Sequence, residues 1–429
     1  MENKMGIKIT EEFKQLYDLL ENKNRNVVLL GSAGTGKSTF LKWYKENTKK
    51  KMLFLSPTGI AALNIGGATI HSFFGFPFKP LTPQDITNLK EYKRKILKYA
   101  DIIVIDEISM LKPDILDGIS WSMQLNLSST KPFAGKQILL VGDMFQLSPI
   151  VNKGIEWFYQ NIYKSYYFFS SKKYQESHFE NFVLTHIFRQ EDKKFIKHLN
   201  EIRLLKPTAE TLEYFNKRCN ICNDKDILTI TSFVKTADYI NATKLAQINN
   251  EPKTYKAIIN GIFNVKQMLT PEELTVKVGA KVMFTKNDKE ERYKNGTFGV
   301  IKRLAPNSIT VMLENGLQTD ITREKWIAYD YVWNEKERKF DEQEKGSFEQ
   351  FPMMLGYAVT VHKIQGQTCS KIKIDLGSGA FAPGQLYVAL SRCTDYNNIY
   401  LAHPIKLSDV VKNNEILEWW NKIGAKILV

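Results

Sequence analysis

The chain has 429 residues, too many for one compact core, so two large domains with smaller insertions are expected. Lys and Arg number 60 against 46 Asp and Glu, a formal charge of +14 that suits a polyanionic partner better than an acidic or neutral one. No apolar run reaches the length of a membrane span, and the first residues carry neither a signal-peptide nor a transit-peptide pattern, so no membrane partner and a cytoplasmic setting are expected.

In chain order, the first 190 positions give short Val/Ile/Leu-rich runs at 27–30, 52–55, 102–105, 138–141 and 166–169, with helical stretches between several of them. That alternation predicts a parallel sheet covered by helices on both faces. Gly31-Ser-Ala-Gly-Thr-Gly-Lys-Ser38 directly follows the first run and fits the phosphate-binding G-x-x-x-x-G-K-[ST] spacing at every fixed position. Its glycines let backbone N–H groups turn onto phosphate oxygens, and a helix starting near Lys37 aims its positive end at the same charge. Lys37 adds a cation, and the Ser38 hydroxyl is placed to ligate magnesium. The pattern predicts a nucleoside triphosphate with Mg2+, its phosphates surrounded by Gly34, Thr35, Gly36, Lys37, Ser38 and Thr39, and the family resemblance described below makes that nucleotide ATP.

The run at 102–105 ends in Asp106 and Glu107. At the carboxyl end of a buried strand beside the phosphate loop, Asp106 is suited to hold magnesium and Glu107 to act as general base on the attacking water. The run at 138–141 leads to Gly142-Asp-Met-Phe-Gln146, which brings the Gln146 amide to the same edge. A second alternating set follows: an apolar run 182–187, helices 193–205 and 209–218, a strand 227–231 and a helix 237–248. It resumes with strands 353–359, 372–374 and 399–402 and a helix 385–391. Between its halves, closely spaced strands at 298–301, 309–313, 317–321 and 326–332, with an Asn315-Gly316 turn, predict a small inserted antiparallel barrel. The charged run 334–345 reads as a solvated hairpin or loop. Cys219 and Cys222 form one Cys-x-x-Cys pair, but a zinc site needs two further ligands that nothing nearby supplies, so reduced thiols are expected.

With these elements in hand, the chain resembles a known family. Ser56-Pro-Thr-Gly-Ile-Ala-Ala-Leu-Asn-Ile-Gly-Gly-Ala-Thr-Ile-His-Ser-Phe73, Gly142 to Leu147, Val359-Thr-Val-His-Lys-Ile-Gln-Gly-Gln-Thr368 and Gly384-Gln-Leu-Tyr-Val-Ala-Leu-Ser-Arg-Cys393 are similar to the helicase motifs of superfamily 1. Their wording matches the RecD-like petite-integration-frequency (Pif) helicases of bacterial type, from Gly31 to Cys393 in the family's order. The resemblance implies an α/β fold of two RecA-like parallel-sheet domains with an SH3-like barrel in the second. The expected boundaries are 1–180 for the first domain, with a small insertion near 59–80, then 181–252 plus 352–429 for the second, and 253–351 for the inserted unit. It implies that Arg189 and Arg392 reach across the cleft to the terminal phosphate, with Gly366 and Gln365 lining it. Pro57, Thr58, Gly59, His71 and Ser72 of the first domain, and Thr360, His362 and Lys363 of the second, resemble groups that hold a single strand. Phe73, Phe74, Phe76 and Phe78 are either faces for bases or core residues. The family's adenine-reading glutamine is replaced by Phe13, with Gln15 two residues late.

The activity so implied is ATP-dependent unwinding of DNA by 5′ to 3′ movement on a single strand. Partners are single-stranded and forked DNA and G-quadruplex DNA in repair and replication, and the active form is a monomer able to pair on DNA. The competing class is an ATPase switch or clamp that binds nucleic acid without unwinding it. The two arginine positions and the Gln365-Gly366 pair, parts that couple hydrolysis to domain motion, speak against it.

Overall fold

The computed structural model describes residues 9–151, 154–188, 192–224, 227–265, 268–293, 295–334 and 339–424. Six strands form the first sheet: β1 (Asn26–Gly31), β2 (Met52–Ser56), β3 (Ala68–Thr69), β4 (Ile102–Ile105), β5 (Gln137–Gly142) and β6 (Phe179–Leu184). They run parallel in the order β3-β2-β4-β5-β1-β6. Alternate residues of each strand face opposite sides. Val28, Leu30, Ile103, Ile105 and Leu140 enter one core, whereas Val27, Leu29, Ile102, Val104, Leu139 and Val141 enter the other. Burial on both faces explains why these runs are continuously apolar.

Two expectations change here. The run 166–169 is not a strand but leads into a 3-10 turn, Phe168–Ser170, and Phe169 stacks on Trp419 of the C-terminal helix Asn414–Lys422 at 5.2 Å. Tertiary packing of aromatic rings overrides the strand preference of those residues. The sixth strand is instead Phe179–Leu184, which pairs with β1 along its length, so the run expected to open the second domain closes the first sheet. The C-terminal helix also returns to the first domain's core through Ile416, Trp419 and Trp420.

The second sheet begins with β7 (Leu228–Thr231). The inserted segment then gives β8 (Lys253–Lys256), β9 (Ile258–Gly261), β10 (Glu273–Val276), β11 (Lys281–Phe284), β12 (Phe298–Leu304), β13 (Ile309–Leu313), β14 (Gln318–Ile321), β15 (Glu324–Asn334), β16 (Lys339–Gln350) and β17 (Met353–Leu355). β18 (Ala358–Thr360), β19 (Ile372–Asp375) and β20 (Ile399–Leu401) return to the second sheet, parallel in the order β18-β7-β19-β20. In the insertion, β14-β13-β12-β11-β17 is an antiparallel sheet, with the Asn315-Gly316 turn between β13 and β14 and Gly316 at φ 82°. The strand expected at 326–332 leaves this sheet. It is part of β15, which forms a long hairpin with β16 and a separate sheet, β15-β16-β9. The expected strand 353–359 likewise splits, β17 pairing with β11 and β18 with β7. The break falls at Gly356, where a Cβ would lie 2.9 Å from the Val282 carbonyl carbon, so only glycine lets the chain cross from one sheet to the other.

Candidate nucleotide and nucleic-acid sites

Between β1 and the helix Lys37–Asn47 the phosphate loop curls through two left-handed glycines, Gly34 at φ 84° and Gly36 at φ 86°. The Lys37 ammonium donates to the Gly31 and Ser32 carbonyls at 2.9 and 3.0 Å. Burial pushes its pKa down, while Asp143, Glu107 and Asp106 pull it back up. Above the loop is a cavity of about 290 Å³ lined by Gly34, Gly36, Lys37, Ser38 and Thr39 together with Asp106, Glu107, Gln146, Gly366 and Arg392. Residues that lie more than 300 positions apart in sequence thus meet around one space. Thr35 does not join them: it is 1 % exposed and its hydroxyl donates to the Ser32 carbonyl, bracing the loop from behind. Gln15 sits on the exposed side of the helix Glu11–Glu21 and is not among the lining residues, whereas Phe13 is buried beneath Gly36. Arg189 lies outside the described residues.

Asp106 and Glu107 extend from the end of β4, where the Asp106 N–H still donates to Leu55. Glu107 then turns left-handed, φ 55°, an uncommon conformation for a residue with a side chain. Burial first, and then the neighbouring Asp106, push the Glu107 carboxyl up to about 7, against the pull of Lys37, Arg392 and a hydrogen bond from Gln365. Burial also raises Asp106. The Gln365 amide donates to Glu107 Oε2 at 3.1 Å and to Gln146 Oε1 at 3.2 Å. The second domain closes on Gln146 from another side, for a Cβ on Gly384, φ 80°, would lie 2.3 Å from the Gln146 carbonyl oxygen. Arg392 is 1 % exposed and donates to the Val388 and Gln367 carbonyls and to Ser391 Oγ.

Sequence reasoning misses a buried chain of hydrogen bonds beside this cavity. The Ala33 N–H of the phosphate loop donates to the Tyr387 hydroxyl at 2.9 Å, which donates to Asp143 at 2.9 Å. Arg203 grips the same carboxylate through Nε and Nη2 at 3.1 and 2.9 Å, and its guanidinium lies against Phe145 and Trp420. Arg203 and Lys37 hold the Asp143 carboxyl below its usual range despite burial. Phe188 is also missed. It is 41 % exposed, lines the cavity, and donates its N–H to the Gly34 carbonyl. Asp143 carried a signal, since it follows Gly142 at the end of a buried strand; Arg203 and Tyr387 are ordinary helix residues until the fold brings them to it.

A second space of about 450 Å³ runs between the domains, lined by Pro57, Thr58 and Gly59 on one side and Thr360, His362 and Lys363 on the other. Glu107 and Gly366 line this groove as well as the nucleotide cavity. Thr360 also caps the one-turn helix Val361–Ile364 by accepting from the Lys363 N–H. Burial pushes the pKa values of His362 and His71 down, favouring the neutral imidazole at both positions. His71 and Ser72 line a neighbouring cavity of about 310 Å³ with Pro57, Gly59, Phe76, Phe78 and, from the insertion, Phe263 and Lys345. Phe73 is corrected: it is 2 % exposed in the first domain's core and offers no face to a base. Phe74 and Phe76 are buried too, whereas Phe78 is 91 % exposed and stacks on His71 at 4.9 Å.

The sequence model of the PIF1-like helicase family matches residues 8–210. The ATP-dependent DNA helicase Pif1 of Bdellovibrio bacteriovorus is 31% identical over 407 residues, covering 92% of this chain and 88% of that protein. The solved structure of unliganded Pif1 from Bacteroides sp is 35% identical, with a TM-score of 0.87 over 98% of each chain. That of Bacteroides Pif1 bound to ssDNA is equally identical over 97% of each chain, with a TM-score of 0.72. The motifs around both cavities, the two parallel sheets and these full-length similarities together establish that the chain belongs to the PIF1-like helicase family.

Proposed function

We propose that the chain is an ATP-dependent DNA helicase in which the cavity above the phosphate loop hydrolyses ATP and the adjoining groove holds a single strand. The observation that carries this reading is the shared wall: Glu107 and Gly366 border both spaces. A group that serves hydrolysis and also faces the strand is what coupling requires. Glu107 takes a proton from the attacking water as its oxygen bonds the terminal phosphorus and the ADP oxygen leaves. Lys37 and Arg392 stabilise the charge that develops, and Gln146 orients the terminal phosphate. Ser38 and Asp106, which line the cavity together, fit a magnesium ion, whose charge would offset that of the triphosphate. Phe188 offers a partly exposed ring for the base.

Pro57, Thr58, Gly59, Thr360, His362 and Lys363 hold the strand's backbone, and His71, Ser72 and Phe78 extend the path under the inserted unit. The division into two RecA-like domains, the second interrupted at 253–351 by a unit with an SH3-like barrel, is part of the same reading. So are 5′ to 3′ movement, action on forked and G-quadruplex DNA in the cytoplasm, and a monomer able to pair on DNA. A strand-displacement assay with duplexes carrying only a 5′ tail or only a 3′ tail tests it. ATP-dependent opening of the 5′-tailed duplex is expected; preferential opening of the 3′-tailed one rejects the direction, and opening of neither rejects the helicase.

A further inference from the structure

Gln365 joins the two cavities. Its side chain is 8 % exposed, and its amide nitrogen donates to two first-domain groups, Glu107 at 3.1 Å and Gln146 at 3.2 Å. Gln365 is also the C-cap of the one-turn helix Val361–Ile364, which begins at Thr360 and carries His362 and Lys363 along the groove. Four helical residues span about 6 Å and move as one piece. Gln365 follows directly on this helix, so the groove-facing side chains and the amide on Glu107 lie within one turn of each other. Glu107 itself is held left-handed, a conformation that its surroundings must enforce. The Gln365 amide occupies one acceptor site of Oε2 and so fixes how the carboxylate is turned, and a general base must be turned toward the proton it abstracts.

We propose that Gln365 is a positioning residue that holds Glu107 in an unproductive orientation while the groove is empty. A single strand seated on Thr360, His362 and Lys363 shifts the short helix, withdraws the amide and frees the carboxylate for water. Hydrolysis thereby becomes conditional on DNA. This device rests on the helicase reading and adds the contact through which the strand acts.

The test uses the full chain with Gln365→Leu, which keeps bulk but removes both donors, and Gln365→Asn, which draws the amide back by one methylene. ATP turnover is measured with and without saturating oligo-dT, and thermal melting checks that each variant folds. The DNA-free rate is expected to rise severalfold in Gln365→Leu and less in Gln365→Asn, with the stimulation by DNA shrinking toward one in the same order. DNA-free rates at or below that of the unaltered chain, with stimulation intact, overturn the proposal, as does an equal loss with and without DNA. Failure of DNA to stimulate the unaltered chain counts against the helicase reading itself, whereas failure confined to the variants counts against this contact alone.

Discussion

Lys37 and Glu107 define opposite electrostatic problems within one cavity. Lys37 is a half-buried ammonium held by the Gly31 and Ser32 carbonyls; in the proposed function those contacts give way to phosphate oxygens, an ionic and local role. Lys37→Ala should lower ATP turnover by roughly 100-fold or more and abolish unwinding, while fluorescence anisotropy still shows single-strand binding. Collapse of the melting transition would mean that Lys37 holds the fold instead. Glu107 is a half-buried acid. Its carboxyl, held near pH 7 in the folded chain against an ordinary 4.5, binds a proton that the unfolded chain has already released. Folding therefore takes up a proton between those values, and stability falls as pH rises through that window. Glu107→Gln should abolish turnover and remove this penalty. The melting advantage of the variant, measured without metal or nucleotide, should widen from pH 5 to pH 8 by on the order of 2 kcal/mol. An advantage that is the same at both pH values would show that Glu107 titrates normally.

At the scale of elements, the loop after β19 and the helix Gln385–Leu390 bring the second domain against Gln146. Gly384 permits that approach by being left-handed and by lacking a Cβ. Gly384→Ala should push the helix off, lower DNA-stimulated turnover about 10-fold and leave single-strand affinity within about twofold, since the groove residues are untouched. Unchanged turnover would mean that the contact is incidental. Much of this arrangement is legible in the sequence because its signals are local. The phosphate loop needs a strand before it and a helix after it, and both are written as apolar runs. β4 and β5 end in acids or amides that have no reason to follow a buried strand unless a site lies there. Other features are not local. Phe168 and Phe169 read as strand residues because ring packing on Trp419, 250 positions later, cannot be seen in a short window. Phe73 and Phe78 differ only in which side of a short helix and turn they leave by, so one is core and the other exposed. Tyr387 and Arg203 acquire meaning only through Asp143, which the fold brings between them.

For the whole molecule, the two sheets are tied at the phosphate loop by a buried, charge-assisted network, while the inserted unit meets the first domain where β15 packs along the helix Glu91–Tyr99 and through Lys345 Nζ to Ser72 Oγ at 3.3 Å. That network is costly to break, because removing one partner leaves a buried charge uncompensated. Among the described residues no helix is long and apolar enough to cross a membrane, and the charge of +14 is available to a nucleic-acid backbone. Single-strand affinity should fall roughly 10-fold or more between 50 and 200 mM salt as released counterions lose their advantage, and a flat salt titration would show that charge plays no part. The coupling of cavity to groove is tested most directly by the ATP turnover of the unaltered chain as a function of single-stranded DNA concentration. A rise that saturates as the groove fills is predicted, and a turnover rate indifferent to DNA would contradict it.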